Sequence, residues 1–418
     1  MVLKDIEELT PKKRVNPECI KEALQDTMAS VAHEVRCVLD RMISFHSRKL
    51  HQLDLPDHFI IVKELGEGGF GKVYLASDRK TGRRMALKVM DKSKTSRESF
   101  LREFSISFLL SSHPNIIGTC ETIFTTISCY VFTQELAPIG DLYSLIVSCV
   151  GIPEDVAKRC ALQISSALEF IAVKGLVHMD VKPDNVLVFD KECHSIKLTD
   201  FGLAKVTGTV IRFKCGSKPY RPRDMYDISP LNGLVVDGSL DVWAFGVTIY
   251  VLLTGEFPWQ DTLPDDADFK SFVVWQKNFE VDNPPEAWRE IPTGIRRMFI
   301  DLLAIDSTKR SPSTEVLNYM GETWKVKKTV RDEESDPMES SSSKPSDESL
   351  CETSYLNSSR SDISITSSLS STSSFLIIDT SASQSEMTSE PQKENTEEAL
   401  IIYDEEFSLH VGAEVDIE

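Results

Sequence analysis

The eight-residue stretch 178–185, with the sequence His-Met-Asp-Val-Lys-Pro-Asp-Asn, constrains this chain more than any other feature. It places a carboxylate (Asp180), a cation two residues later (Lys182) and an amide (Asn185) in one short loop. A second carboxylate, Asp200, comes further along and is succeeded by phenylalanine and glycine. These groups suit phosphoryl transfer, because a hydroxyl needs an acceptor for its proton, the phosphate needs a nearby cation and Mg²⁺ needs oxygen ligands.

A glycine-rich stretch near the start of the folded region has the pattern G-x-G-x-x-G. This pattern alone is weak evidence, because dinucleotide-binding folds use it to open a helix. Here a strand resumes at Val73, and a second strand carries Lys88 between Leu87 and Val89. A glycine hairpin over phosphates, followed by a strand lysine that reaches them, predicts a nucleotide site, although a surface lysine is the alternative interpretation. The predicted hairpin residues are Gly66, Glu67, Gly68, Gly69, Phe70 and Gly71.

A helical segment after this strand offers two carboxylates that could hold Lys88 in place. We choose Glu103, because Glu98 is close to the predicted helix start, where a capping or dipole role is the ordinary explanation. The segments 155–173 and 240–254 later in the chain are long, apolar and periodic, which predicts a mainly helical second half.

Taken together, the motifs from about 59 to 325 resemble a eukaryotic protein kinase catalytic domain in their order and separation. Segments 187–193, 241–247 and 272–276 are similar to those of the SH3-binding-domain kinase family. The resemblance implies an α+β, bilobal protein kinase fold with a small β-rich lobe and a larger helical lobe. It also implies ATP and Mg²⁺ as cofactors and protein substrates with serine or threonine acceptors. Lys182, together with Ser217 after a glycine, independently favours that acceptor class.

The resemblance assigns a role to each motif residue. Asp180 is expected to accept or orient the proton of the acceptor hydroxyl, and Lys182 to neutralise the transferring phosphoryl group. Lys88, fixed by Glu103, is expected to position the α- and β-phosphates. The expected metal ligands are Asn185 and Asp200.

Adenine is expected at the hinge between the lobes, again as the resemblance implies. The backbone carbonyl of Glu135 and the amide of Ala137 would pair with its edge, and Gln134 would lie at the back of the pocket. Asp141 would lie at the ribose and substrate rim, although a helix N-cap explains it equally well. The side chains expected to sandwich adenine are Leu65, Val73, Ala86 and Leu187.

Met179 departs from the family pattern, because it replaces an arginine that usually reads a phosphate on the activation segment. Phosphoryl transfer does not require that arginine, whereas activation by a phosphate on the activation segment does. The substitution leads to the hypothesis that activity does not depend on phosphorylation of Thr207, Thr209 or Ser217.

Arg223 departs from the pattern as well, because it stands where the family has a glutamate that pairs with an arginine, here Arg310. Two arginines facing each other in a buried site would cost about 3–5 kcal/mol. Asp224, one residue later, is the predicted substitute.

The chain divides into an N-terminal extension (1–57), a catalytic domain (58–326) and a Ser- and acid-rich tail (327–418). The extension contains an amphipathic helix, which either packs on the domain or self-associates. Its apolar seam comprises Leu24, Met28, Val31, Val35, Val38 and Met42.

The acidity of the chain belongs to its tail. From residue 327 onwards there are 21 acidic and six basic residues, a balance of −15 out of a formal net charge of −19. This composition predicts a disordered acidic tail and argues against nucleic acid as a partner of the domain. Two apolar islands, 375–379 (from Phe375 to Asp379) and 400–406 (from Leu400 to Glu406), suit strand addition onto a partner. The second resembles a SUMO-interacting motif.

Nine cysteines without CxxC spacing argue against a disulfide framework or a zinc site and favour a reducing compartment. No run of about 18 apolar residues is present, which argues against a membrane partner. We expect the protein to be cytoplasmic and monomeric. The first functional hypothesis is an active serine/threonine kinase. The alternatives are a pseudokinase scaffold that binds partners through the fold and the acidic tail, and an adaptor driven by the tail.

Overall fold

Two parts of different secondary structure make up the described chain, and residues 135–139 connect them. The computed structural model describes residues 17–69, 71–229, 231–278 and 283–325, with side chains from Ser30 onwards. Phe70 and the tail segments 375–379 and 400–406 lie outside the described residues. The N-terminal part is β-rich and the C-terminal part is mainly helical, so the predicted α+β bilobal fold is confirmed.

The N-terminal part is built on a five-stranded antiparallel sheet in the order β1-β2-β3-β5-β4. The strand β3 lies at its centre, where Lys88 pairs with Val73 on one side and Phe132 on the other. One helix, α3, begins after Ser96, whose hydroxyl caps the Ser99 amide, and covers one face of the sheet with aromatic side chains. The bounds are β1 Phe59–Gly68, β2 Gly71–Asp78, β3 Arg84–Asp91, α3 Arg97–Leu110, β4 Thr119–Thr125 and β5 Cys129–Gln134.

The C-terminal part is organised around a helix, α5, that is buried on every side. All of its residues from Leu240 to Thr254 are buried, as expected for a helix that is apolar all round. Trp243 of this helix packs against Trp259, which in turn packs against Trp288. The predicted helical segments are confirmed as α4 and α5. The helices are α4 Glu154–Val173, α5 Ser239–Thr254, α6 Ala267–Lys277 and α7 Thr293–Leu302.

Short strands carry the loops of the C-terminal part. A three-stranded sheet in the order β6-β8-β9 flanks the stretch 178–185 on its C-terminal side. Two further strand pairs, β7 with β10 and β11 with β12, fix the backbone after Asp200 at 205–206 and 210–211. The bounds are β6 Gly140–Asp141, β7 Leu176–Val177, β8 Val186–Val188, β9 Ile196–Leu198, β10 Lys205–Val206, β11 Val210–Ile211 and β12 Leu234–Val235.

The N-terminal extension forms a helix, α1 (Pro17–Lys49), and a single turn, α2 (Leu55–His58). The helix α1 packs against α3, as the first of the two alternatives has it. The predicted seam is displaced around the helix, because Val31 is 41% exposed while Ala32, Leu39 and His46 are buried. The sequence interpretation missed the buried face of α1 because it counted only large apolar residues, whereas an alanine and a histidine belong to that face. None of the described helices is long and apolar enough to cross a membrane.

Candidate active site

Three charged side chains from three different elements meet at the junction of the two parts. Lys88 Nζ on β3 lies 2.5 Å from Glu103 Oε1 on α3 and 2.9 Å from Asp200 Oδ1, which comes after β9. Glu98, the competing carboxylate, is instead on the surface and lies 3.9 Å from Arg102. Phe201 next to Asp200 is fully buried against the ring of His178. The structure therefore joins strand, helix and loop through one buried lysine.

Lys88 and Asp200 stabilise each other's charges, whereas burial raises the pKa of Glu103 above its ordinary value. Burial alone would lower the pKa of Lys88, but the carboxylates of Asp200 and Glu103 outweigh it and raise the pKa above its ordinary value. In return, Lys88 lowers the pKa of Asp200 to about 2. Lys88 and Asp200 are therefore both ionised at neutral pH, as a phosphate contact and a metal ligand require.

Asp180 is the centre of a second cluster in the stretch 178–185. Its Oδ1 accepts hydrogen bonds from the backbone amide and the hydroxyl of Ser217, both at 3.2 Å. Its Oδ2 lies 2.9 Å from Lys182 Nζ and accepts from Asn185 Nδ2 at 3.0 Å. Lys182 Nζ also donates to Ser217 Oγ at 2.8 Å. A carboxylate, an ammonium group and a hydroxyl are thus held within direct contact of one another.

A buried carboxylate on α5 holds this loop from beneath, and the sequence interpretation missed its role. Asp241 accepts the backbone N–H of His178 at 2.6 Å and that of Met179 at 2.8 Å. Burial raises its pKa, while those two amides act in the opposite direction. Met179 has a left-handed backbone with φ 73°, which a non-glycine residue rarely adopts, so these bonds offset local strain. An aspartate at the start of an otherwise apolar helix was the available signal.

The residues predicted as metal ligands have oxygen atoms to offer. Within the described residues, Asn185 uses its amide nitrogen for both of its side-chain hydrogen bonds, to the backbone oxygen of Asp180 at 2.8 Å and to the Asp180 carboxylate. Its carbonyl oxygen is therefore left for other partners. The hydrogen bonds of Asp200 in the same part of the chain all use Oδ1. An amide oxygen and a carboxylate oxygen form the hard donor set that a divalent cation such as Mg²⁺ takes.

The predicted nucleotide-binding hairpin is the turn between β1 and β2. Gly71 permits the close approach of β3, because a Cβ there would clash with the carbonyl oxygen of Val89. Of the predicted adenine contacts, Ala86 is buried, Val73 and Leu187 are half-buried and Leu65 is 42% exposed.

The predicted hinge is tied to both parts by the side chain of Glu135, a contact that the sequence interpretation did not foresee. Its Oε1 accepts from the Gly118 amide at 2.5 Å and pairs with Lys197 on β9 at 2.6 Å. Gln134 is buried behind it and donates to Thr119 Oγ1 at 3.2 Å. The backbone of Glu135 and Ala137 was expected to face adenine. Because Glu135 has its side chain engaged elsewhere, its backbone is fixed in position.

Asp141 makes the hydrogen bond expected of a residue that caps a turn, and its predicted place at the ribose and substrate rim stays a prediction. Its carboxylate accepts the backbone N–H of Ser144 at 2.8 Å and so caps the turn after β6. This bond is the ordinary use of an aspartate before a helical turn.

Met179 lies in an apolar cluster and is only 6% exposed. The cluster joins the stretch 178–185 to the segment after Asp200 and to the start of α5. Its buried members are Val177, Met179, Ile211, Met225, Val236 and Leu240. Apolar packing therefore occupies the position where the family pattern has an arginine.

Arg223 does not face Arg310, so the unfavourable pair of buried arginines from which Asp224 was predicted as the substitute is absent. Arg223 turns to the surface, where it makes two hydrogen bonds to the carboxylate of Asp227 at 2.9 and 2.8 Å. Arg310 is fully buried and pairs with Asp224 at 2.9 Å, as predicted for the substitute. Neighbouring residues of the short turn Arg223–Met225 therefore have different partners, because Arg223 pairs with Asp227 and Asp224 pairs with Arg310.

The fold and these two clusters are those of a protein kinase. The family model for the protein kinase domain matches residues 59–320, and the chain belongs to this family. It is 41% identical over 307 residues to serine/threonine-protein kinase SBK1 of Danio rerio, which covers 73% of this chain and 80% of that protein. It is 44% identical over 273 residues to SBK1 of Mus musculus, with 65% of each chain covered. SBK2 of Rattus norvegicus is 35% identical over 302 residues, with 72% and 83% covered.

These relatives confirm the resemblance to the SH3-binding-domain kinase family, and the protein is a serine/threonine protein kinase. Enzymes of the protein kinase family use ATP and a divalent metal in general.

Proposed function

We propose that the protein transfers the γ-phosphate of MgATP to serine and threonine hydroxyls of proteins, through the residues of the two clusters. The observation that carries this proposal is the completeness of both clusters. Lys88, Glu103 and Asp200 are in mutual contact, and Asp180 has Lys182 and Asn185 within hydrogen-bonding distance. Pseudokinases usually lack one of these groups, and here none is missing.

Each role follows from the contacts of the side chain. Asp180 receives the proton of the acceptor hydroxyl, and Lys182 stabilises the charge that develops on the phosphoryl group. Lys88, held by Glu103, positions the α- and β-phosphates. Asn185 and Asp200 would hold Mg²⁺, which supplies charge neutralisation when it is bound.

The test is the transfer of labelled phosphate from MgATP to a library of serine and threonine peptides. Asp180→Asn keeps the size of the side chain but removes the proton acceptor, so kcat should fall about a hundredfold or more. Asp265→Asn, at an exposed aspartate, is the matched control and should retain activity. Equal activity of the wild type and Asp180→Asn would exclude this function and favour the pseudokinase scaffold.

We further propose that this activity does not require phosphorylation of the activation segment. The support is the apolar cluster around Met179, which anchors the segment by packing through Ile211 and Met225. A phosphate reader at position 179 is replaced by a side chain that cannot contact an anion favourably. The segment therefore has a fixed conformation without a phosphate.

Phosphatase treatment of the purified protein tests this second proposal. The expected result is unchanged kcat before and after treatment, and unchanged kcat in Thr207→Ala and Thr209→Ala. Two cations, Lys205 and Arg102, lie near the activation segment. Burial lowers the pKa of Lys205, and the nearby charge of Arg102 lowers it further. A loss of activity on treatment would refute the proposal and assign these cations to phosphate binding.

A further inference from the structure

The helix α1 contacts α3, the helix that carries Glu103, through a buried histidine. His46 is 3% exposed, and its Nδ1 forms a hydrogen bond of 2.9 Å with Ser105 Oγ on α3. Its ring also packs edge-on against Phe104 at 4.8 Å and Phe108 at 5.7 Å between ring centroids. One side chain of α1 thus contacts three residues of α3, and one of them, Phe104, directly follows Glu103.

The same end of α1 is fixed to the N-terminal part by further contacts. Ile43 packs against the cluster that contains Phe100 and Phe104. Arg97, the first residue of α3, donates to the backbone oxygen of Ser47 at 3.0 Å. Lys49 Nζ pairs with Glu121 on β4 at 2.6 Å, although this exposed pair adds little to stability.

The preceding turns of α1 are fixed to the helical part instead. Ala32 and Leu39 are buried in the large core that also includes Ile106 of α3. Val35 lies so close to Gly175 that a Cβ at Gly175 would be 2.9 Å from its Cγ2. The helix α1 therefore spans the junction between the two parts and is packed on both.

We infer that α1 is a positioning element for phosphoryl transfer, with His46 holding α3 where Glu103 contacts Lys88. The sheet supports α3 through Phe104 and Phe132, and the helix α1 packs on α3 as a second support through His46 and Ser105. The inference rests on the proposed role of Glu103, and it assigns the N-terminal extension a part in catalysis that lies outside the kinase domain match at 59–320.

The first test measures kcat and KM of the full chain carrying His46→Ala. The loss of the imidazole in His46→Ala should lower kcat about fivefold or more, which is the lower end of the range for energetic coupling between two sites. The KM for the peptide should not change, because His46 contacts α3 and not the cluster around Asp180. His46→Gln, which can still bond to Ser105, should restore most of kcat. Ser44→Ala, on the exposed face two residues away, is the matched control and should match the wild type.

The second test asks whether His46 acts through Glu103. In a Glu103→Gln background the Lys88 ion pair is already lost, so His46→Ala should cause no further loss of kcat. A further loss by the same factor would refute the inference, because His46 would then be acting elsewhere. Full kcat of His46→Ala in the wild-type background would refute it as well.

A third readout does not depend on catalysis. Hydrogen exchange of the α3 amides should be faster in His46→Ala than in Ser44→Ala. Unchanged exchange in α3 would overturn the inference. If the wild type transfers no phosphate at all, the proposed function fails and this experiment still decides whether α1 holds α3.

Discussion

At the residue scale, two aspartates near each other do different work. Asp180 faces Lys182 and Ser217 in the site, whereas Asp241 is buried and accepts two backbone amides of the same loop. A left-handed residue costs of order 1–3 kcal/mol unless its surroundings hold it. Asp241 supplies that support at Met179, which explains why a charged group is retained within an apolar core.

The buried pair of Asp224 and Arg310 gives the first prediction. Asp224→Ala should lower the free energy of unfolding by about 3–5 kcal/mol, because it leaves the buried Arg310 charge uncompensated. Chemical denaturation of the wild type and the variant measures this. The matched control is Asp227→Ala, which removes the exposed partner of Arg223 and should change stability by less than about 1 kcal/mol. Equal effects of the two variants would contradict the assignment.

The candidate catalytic residues could be picked out from the sequence, because each lies in a motif of the family that the chain resembles. Lys88, Asp180 and Asp200 each lie in a short sequence motif that identifies them. Contacts between residues that are far apart in the sequence were not predictable in the same way. The bonds from Asp241 to the loop and the turn of Arg223 towards the surface depend on packing that no local pattern encodes.

At the element scale, α3 is the part whose position matters for Lys88. The sequence predicted a helix carrying Glu103, and it predicted a second amphipathic helix in the extension. It did not predict which face of that second helix is buried. Histidine is not counted in an apolar seam, yet His46 occupies the centre of the contact with α3.

This contact predicts a dependence on pH. Burial lowers the pKa of His46 below its ordinary value of 6.5, nearby Lys49 lowers it further, and Glu121 opposes them. The unfolded chain therefore takes up this proton first, so the contribution to stability is complete above pH 6.5 and is lost as the pH falls through the lowered value. Thermal unfolding between pH 7.5 and pH 5 should show a steeper loss for the wild type than for His46→Gln. Parallel curves would contradict this.

At the scale of the whole molecule, the nucleotide is expected to bind where the sheet part and the helical part already touch. The described contacts across this junction include the pair of Lys88 with Asp200 and the pair of Glu135 with Lys197. The first pair links β3 to the loop after β9, and the second links the connecting segment 135–139 to β9 itself. The division into a β-rich and a helical part followed from the family resemblance, whereas the Lys197 contact did not. A ligand that engages both sides should therefore stabilise the molecule as one unit.

That expectation gives the last prediction. A ligand present at about 100 times its Kd adds about 2.7 kcal/mol to stability, so MgATP should raise the Tm of the full chain by several degrees. ATP with a chelator should raise it less, because the phosphate charges then meet Asp200 without a cation between them. In Asp200→Asn this difference between MgATP and ATP should shrink, whereas Asp265→Asn should preserve it. If Asp200→Asn kept the full difference, the metal would be held by other residues, and the assignment of Asn185 and Asp200 as its ligands would be wrong.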